Sequence, residues 1–189
     1  MPIEVKYINA STLQRKLPSS LAVAQIVTTW MCLQVAGCGS NQFQQELQIE
    51  ESAVKLAKET IQGQYPLITT DELKTLIDSD IDFLIVDAMP AISSYSQAHI
   101  QGAVNFEFPK EVISEWNETT MPGRSREDFA ALLGEDKQRL IVVYCGFVKC
   151  ARSHNAAVFA RELGYSSVKR YPGGIYAWQG AGNPVVSQP

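Results

Sequence analysis

The chain has 189 residues, 46% of them hydrophobic and 19% charged, with a formal net charge of −4. That leaves room for one domain of ordinary size plus an appendage, with enough apolar content for a full core. The acidic balance, with no basic run, argues against nucleic acid as a partner. Four cysteines and two histidines are too few and wrongly spaced for a structural zinc site.

Lys6, Arg15 and Lys16 precede an uncharged stretch from Leu21 to Val35 that ends in Val35-Ala36-Gly37-Cys38. A positive segment, a short apolar segment and small residues are the marks of a secretory signal. Gln25, Thr28, Thr29 and Gln34 dilute the apolar part, which is short against the ~20 residues of a spanning helix. Val35-Ala36-Gly37-Cys38 resembles the lipobox of bacterial lipoproteins. That likeness implies a removed leader over residues 1–37, lipidation of Cys38 and an extracytoplasmic protein anchored to a membrane, in the periplasm or at the cell surface. The competing readings are an uncleaved N-terminal anchor helix and a cytosolic amphipathic helix. On the lipoprotein reading Cys145 and Cys150 are the remaining thiols, in a compartment that tends to oxidise them.

Residues 38–63 read as a linker, rich in Gln and Glu from Asn41 onward. Ile49, Val54, Leu56 and Ile61 are spaced irregularly, which predicts a weakly amphipathic helix over roughly 44–61. It is either a spacer or a helix lying on the domain surface.

A domain over residues 64–186 follows. Pro66-Leu67-Ile68 is a brief strand, and Thr69-Thr70-Asp71-Glu72 has capping-box spacing ahead of a helix carrying Leu73, Leu76 and Ile77. Phe83–Val86 is a buried strand ending on Asp87. A loop and short helix lead to His99-Ile100-Gln101-Gly102, a turn running into a third strand. Ser125 caps a helix with Phe129, Leu132 and Leu133. The strand Leu140–Tyr144 reaches Cys145, and Asn155–Leu163 repeats its apolar residues at helical spacing up to Gly164. Val168–Tyr171 and a Gly173-Gly174 turn into a closing helix complete the chain. Strands alternating with helices predict an α/β fold, a mostly parallel central sheet with helices on both faces.

In such sheets the site lies beyond the carboxyl ends of the strands, where Cys145 falls. The loop Cys145-Gly146-Phe147-Val148-Lys149-Cys150-Ala151-Arg152-Ser153 joins that strand end to a helix start. Unpaired N–H groups and the helix dipole favour an anion there. With Lys149 and Arg152 adding charge, Cys145 is expected to be a thiolate, which is the nucleophilic form. The plainer reading of Cys145 is a small core hydrophobe.

Four segments taken together resemble the rhodanese family of sulfurtransferases. They are the strand end at Asp87; Ala98-His99-Ile100-Gln101-Gly102-Ala103-Val104-Asn105; Val143-Tyr144-Cys145 with Arg152-Ser153; and Tyr171-Pro172-Gly173-Gly174-Ile175-Tyr176-Ala177-Trp178 with Gly182-Asn183-Pro184-Val185. The resemblance implies that Cys145 takes a sulfane sulfur from a small-molecule donor as a persulfide and passes it to a thiol or cyanide acceptor. It implies no metal and no cofactor. The family's loop usually has six residues and a base at its end. Here six residues end on Cys150, and matching Arg152 makes the loop two longer, as in the phosphatases and arsenate reductases of this fold. Cys150 is therefore a candidate resolving thiol, against a small residue packed under the loop. The rival functions are thiol–disulfide or oxyanion chemistry on Cys145 and Cys150, and a non-catalytic binding module. Asp87 and His99 are expected to brace the strand end and turn, and His154 to be exposed.

Overall fold

The computed structural model describes residues 38–188, with side chains from residue 41 onward; the leader over 1–37 and the side chain of Cys38 lie outside the described residues. The chain divides into two units at Gln48/Ile49. What is described of the first is the opening of helix α1 (Cys38–Gly63). The second unit holds the rest of α1 and everything after it. No helix among the described residues is long and apolar enough to cross a membrane.

In the second unit α1 is followed by α2 (Thr70–Ile77), β1 (Phe83–Asp87), a π-helical turn (Ala91–Tyr95), β2 (His99–Ile100) and β3 (Val104–Asn105). Then come α3 (Arg126–Leu133), β4 (Leu140–Tyr144), α4 (Arg152–Glu162), β5 (Val168–Tyr171), α5 (Gly174–Gly180) and β6 (Val185–Val186). The central sheet has the order β3-β1-β4-β5, with every pair parallel, and β2 pairs antiparallel with β6. The expected strand at Pro66–Ile68 is reduced to one bridge between Leu67 and Arg170 on the β5 edge. The architecture is thus the α/β one read from the sequence.

Alternation along β1 and β4 divides the core into two layers. Leu84, Val86, Ile141, Val143 and Cys145 face Phe129 and Leu133 of α3 and Ala156 and Phe159 of α4. Ile85, Val142 and Tyr144 face Leu73 of α2 and Ile175 and Trp178 of α5. Helices therefore cover both faces, as a parallel sheet requires. Capping boxes at Thr69/Glu72 and Ser125/Asp128 fix where α2 and α3 begin.

The register places Asp87 opposite Tyr144, so Cys145 lies just past the end of the most central pair of strands. Its backbone is held from α5: Ile175 N–H donates to the Cys145 carbonyl at 2.9 Å and Tyr176 N–H to the Gly146 carbonyl at 3.0 Å. This close approach explains Gly174. Its φ is +60°, and a Cβ there would stand 2.2 Å from the Cys145 carbonyl oxygen.

The part of α1 in this unit turns a polar stripe inward. Glu59 and Gly63 are buried and Lys55 is partly so, whereas Val54 is 47% and Ile61 78% exposed. A helix oriented this way is held by charge and hydrogen bonding rather than by its apolar residues.

Candidate functional site

The Cys145 loop runs from the end of β4 to the start of α4 and closes on itself, with Cys150 N–H donating to the Phe147 carbonyl at 3.0 Å. Cys145 has no exposed surface. Its Sγ lies 3.3 Å from the Cys150 carbonyl and 3.1 Å from Ser153 Oγ, within hydrogen-bonding reach of the Cys150 thiol. Both cysteines are free. Among the described residues no cluster of three His, Cys, Asp or Glu side chains could hold a metal ion.

These contacts work against the thiolate expected at Cys145. Burial, followed by the neighbouring Cys150 sulfur, pushes the Cys145 thiol well up, against the smaller help of Ser153. The neighbouring Cys150 is shifted the other way, its pKa pushed down to about 6. The hydrogen bond from Cys145 is the main cause, and the N–H groups of Arg152 and Gly146 add to it against partial burial. The ring of amide hydrogens expected around residue 145 thus serves residue 150, one residue before the N-cap of α4.

Both basic side chains of the loop have partners outside it, and the Arg152 charge also helps to lower the Cys150 pKa. Lys149 Nζ pairs with Glu51 of α1 at 2.6 Å. The Arg152 guanidinium donates to the Phe108 carbonyl and lies 3.9 Å from Glu107. Phe147 is exposed and stacks on Tyr176 with ring centroids 5.6 Å apart. Ala151 is buried and Val148 partly so. Away from the loop, Asp87 accepts from Met89 N–H at 2.8 Å and from the Tyr144 hydroxyl, while burial raises its pKa. His99 donates through Nδ1 to the Tyr95 carbonyl at 2.8 Å and stacks on the Tyr95 ring.

Beneath the loop lies a group that the sequence analysis did not single out. Arg170, on β5, has no exposed surface and makes four charge-assisted contacts. It donates to Ser153 Oγ at 2.9 Å, Glu59 at 2.6 Å, the Cys150 carbonyl at 2.9 Å and the Tyr65 hydroxyl at 3.1 Å. A guanidinium only donates, so both hydroxyls accept from it and keep their own protons for other partners. The Ser153 proton is then free to be offered to Cys145 Sγ at 3.1 Å, and the Tyr65 proton to Nδ1 of His154 at 2.7 Å. His154 is buried, not exposed as expected, and burial lowers its pKa to about 4. A signal for Arg170 was present: β5 alternates, and Arg170 shares the face of Val168, a residue of the Cys145-side core.

Two outcomes follow. Removing Glu59 leaves the Arg170 cation buried without its counter-charge, so Glu59→Ala should cost about 3–5 kcal/mol in denaturant unfolding at pH 7. His154 is neutral when folded and takes up a proton on unfolding below its ordinary pKa of 6.5. Stability should therefore fall as pH drops from 6.5 toward 4, by at most about 1.4 kcal/mol per unit for this group. A profile flat between pH 7 and pH 5 would show that His154 titrates normally.

Comparison with known proteins bears on the fold. The rhodanese-like domain family matches residues 69–181. A thiosulfate sulfurtransferase from Pseudomonas aeruginosa is similar in structure with a TM-score of 0.53 and 19% identity, over 73% of this chain and 23% of that one. A rhodanese-like domain from Anabaena sp. is similar at 25% identity and a TM-score of 0.48, over 65% of this chain and 79% of that one. No curated protein matches the chain. The family match spans more than half of the sequence and includes the whole parallel sheet with the Cys145 loop; the chain belongs to the rhodanese-like domain family.

Proposed function

We propose that this domain is a sulfurtransferase that moves a sulfane sulfur from a small-molecule donor to a thiophilic acceptor, carrying it as a persulfide on Cys145. The observation that supports this most is the placement of Cys145 Sγ at the carboxyl end of β4. It lies 3.1 Å from a Ser153 hydroxyl that accepts from Arg170 and so keeps its own proton to offer to the sulfur. A hydroxyl held in that orientation stabilises negative charge on the attached sulfur as that charge develops. In the transfer step an acceptor thiolate or cyanide attacks the outer sulfur of the persulfide. The S–S bond breaks, and its electron pair returns to Cys145.

A second reading, thiol–disulfide exchange between Cys145 and Cys150, draws support from the two sulfurs lying within hydrogen-bonding reach of one another. Incubation with thiosulfate or inorganic polysulfide, followed by cyanide, separates the two. The persulfide reading expects a gain of one sulfur atom per protein and thiocyanate on adding cyanide. Replacing both thiols, Cys145→Ser with Cys150→Ser, checked for folding by circular dichroism, should reduce thiocyanate formation by about 100-fold or more. Loss of two hydrogens with no sulfur retained would favour the disulfide reading.

The proposal extends to location: a lipid on Cys38 would tether the domain to the outer side of a bacterial membrane. It rests on the Val35-Ala36-Gly37-Cys38 sequence following a positive and then an uncharged segment. Radiolabelled fatty acid should enter the protein expressed in a bacterial host and should not enter Cys38→Ala. Equal labelling of both would remove the lipoprotein reading.

A further inference from the structure

If the domain transfers sulfur, the donor has to reach a thiol, and Cys145 has no exposed surface. Its Sγ is enclosed by the Cys150 carbonyl, Ser153 Oγ and the strap from α5 onto its own carbonyl. Cys150, unlike Cys145, is partly exposed, and its sulfur receives the N–H groups of Gly146 and Arg152. An anionic donor approaching the loop meets this sulfur first.

We propose that Cys150 is the thiol that meets the sulfur donor, and that Cys145 takes the sulfur from it inside the closed loop. This deepens the sulfurtransferase reading and rests on it. With thiosulfate, the Cys150 thiolate attacks the sulfane sulfur. A Cys150–S bond forms, the donor's S–S bond breaks with its electron pair, and sulfite leaves. Cys145 then attacks the outer sulfur of the Cys150 persulfide. The new bond is Cys145–S, the broken bond is Cys150–S, and the electron pair stays on Cys150. The proton of Cys145 passes to Cys150 or to the transferred sulfur. No electrons enter or leave, so the relay needs neither oxidant nor reductant. When the proton passes to Cys150, the charge rests on the sulfur now carried by Cys145, whose Sγ is in hydrogen-bond contact with Ser153 Oγ.

The arrangement gives each part of the loop a use. The partly exposed position captures the sulfur, and the enclosed position shields the persulfide from adventitious thiols. It also accounts for a cysteine standing five residues along from Cys145.

Rapid-quench loading of the full-length chain with thiosulfate or inorganic polysulfide at pH 7 tests the relay. Trypsin cuts after Lys149, so alkylation and peptide mapping assign sulfur to Cys145 or Cys150 separately from Cys32 and Cys38. In the unaltered protein sulfur should appear on Cys150 first and on Cys145 later. In Cys145→Ser it should accumulate on Cys150, and in Cys150→Ser loading of Cys145 should slow by about tenfold or more. Sulfur appearing on Cys145 first, or Cys150→Ser loading at the unaltered rate, overturns the relay and leaves sulfur transfer standing. An unaltered protein that gains sulfur at neither cysteine from either donor overturns the sulfur-transfer reading itself, and the relay falls with it.

Discussion

A guanidinium with no exposed surface governs this domain. Taking such an ion out of water costs several kcal/mol, and only a full set of acceptors makes the position tolerable. Arg170 finds a carboxylate on α1, a phenol just after that helix, a hydroxyl on α4 and a carbonyl in the cysteine loop. Each acceptor comes from a different stretch of the chain, so one charge fixes the relative placement of all four. The loop is held from below by Arg170 and from the side by the first N–H groups of α5. Neither attachment is apolar, and both depend on direction.

That constraint decides the chemistry of the two thiols. Because Arg170 uses the lone pairs of Ser153 and not its proton, the serine offers hydrogen to the sulfur above it. Because the loop folds tightly over Cys145, its sulfur loses solvent and keeps its proton. The amide hydrogens of the loop then converge on Cys150, where the charge is carried more cheaply. The environment shifts two near-identical groups in opposite directions, the inner thiol up and the outer one down. Two thiols that differ in this way can act in sequence, whereas two equivalent ones would compete.

The sheet, its helices and the loop were legible because each follows from a local pattern: alternating apolar strands, capping residues, a glycine pair before the last helix. The site was legible to the extent that Cys145 ends a buried strand. What escaped was long-range. Lys149 and Arg152 looked like charges for the thiolate, and nothing local announced Glu51 or the Phe108 carbonyl as their partners. His154 looked solvated because it follows Arg152-Ser153, yet Tyr65, distant in sequence, encloses it. Helix α1 resisted reading because its inward face carries Glu59 and Gly63 rather than its apolar residues, so the usual rule that apolar residues point to the core had nothing to follow. In each case a polar residue was placed by a partner far along the chain, and composition says nothing about such partners.

The inward polar stripe of α1 bears on where this unit can be cut. The family match begins at residue 69, past both Glu59 and Tyr65. A fragment trimmed to that boundary would retain every strand of the parallel sheet and lose two of the four ligands of its central cation. Water would have to enter beneath the cysteine loop to replace them. The functional perimeter is therefore wider than the homologous one, and the segment ahead of it is a structural counter-ion supplied in cis.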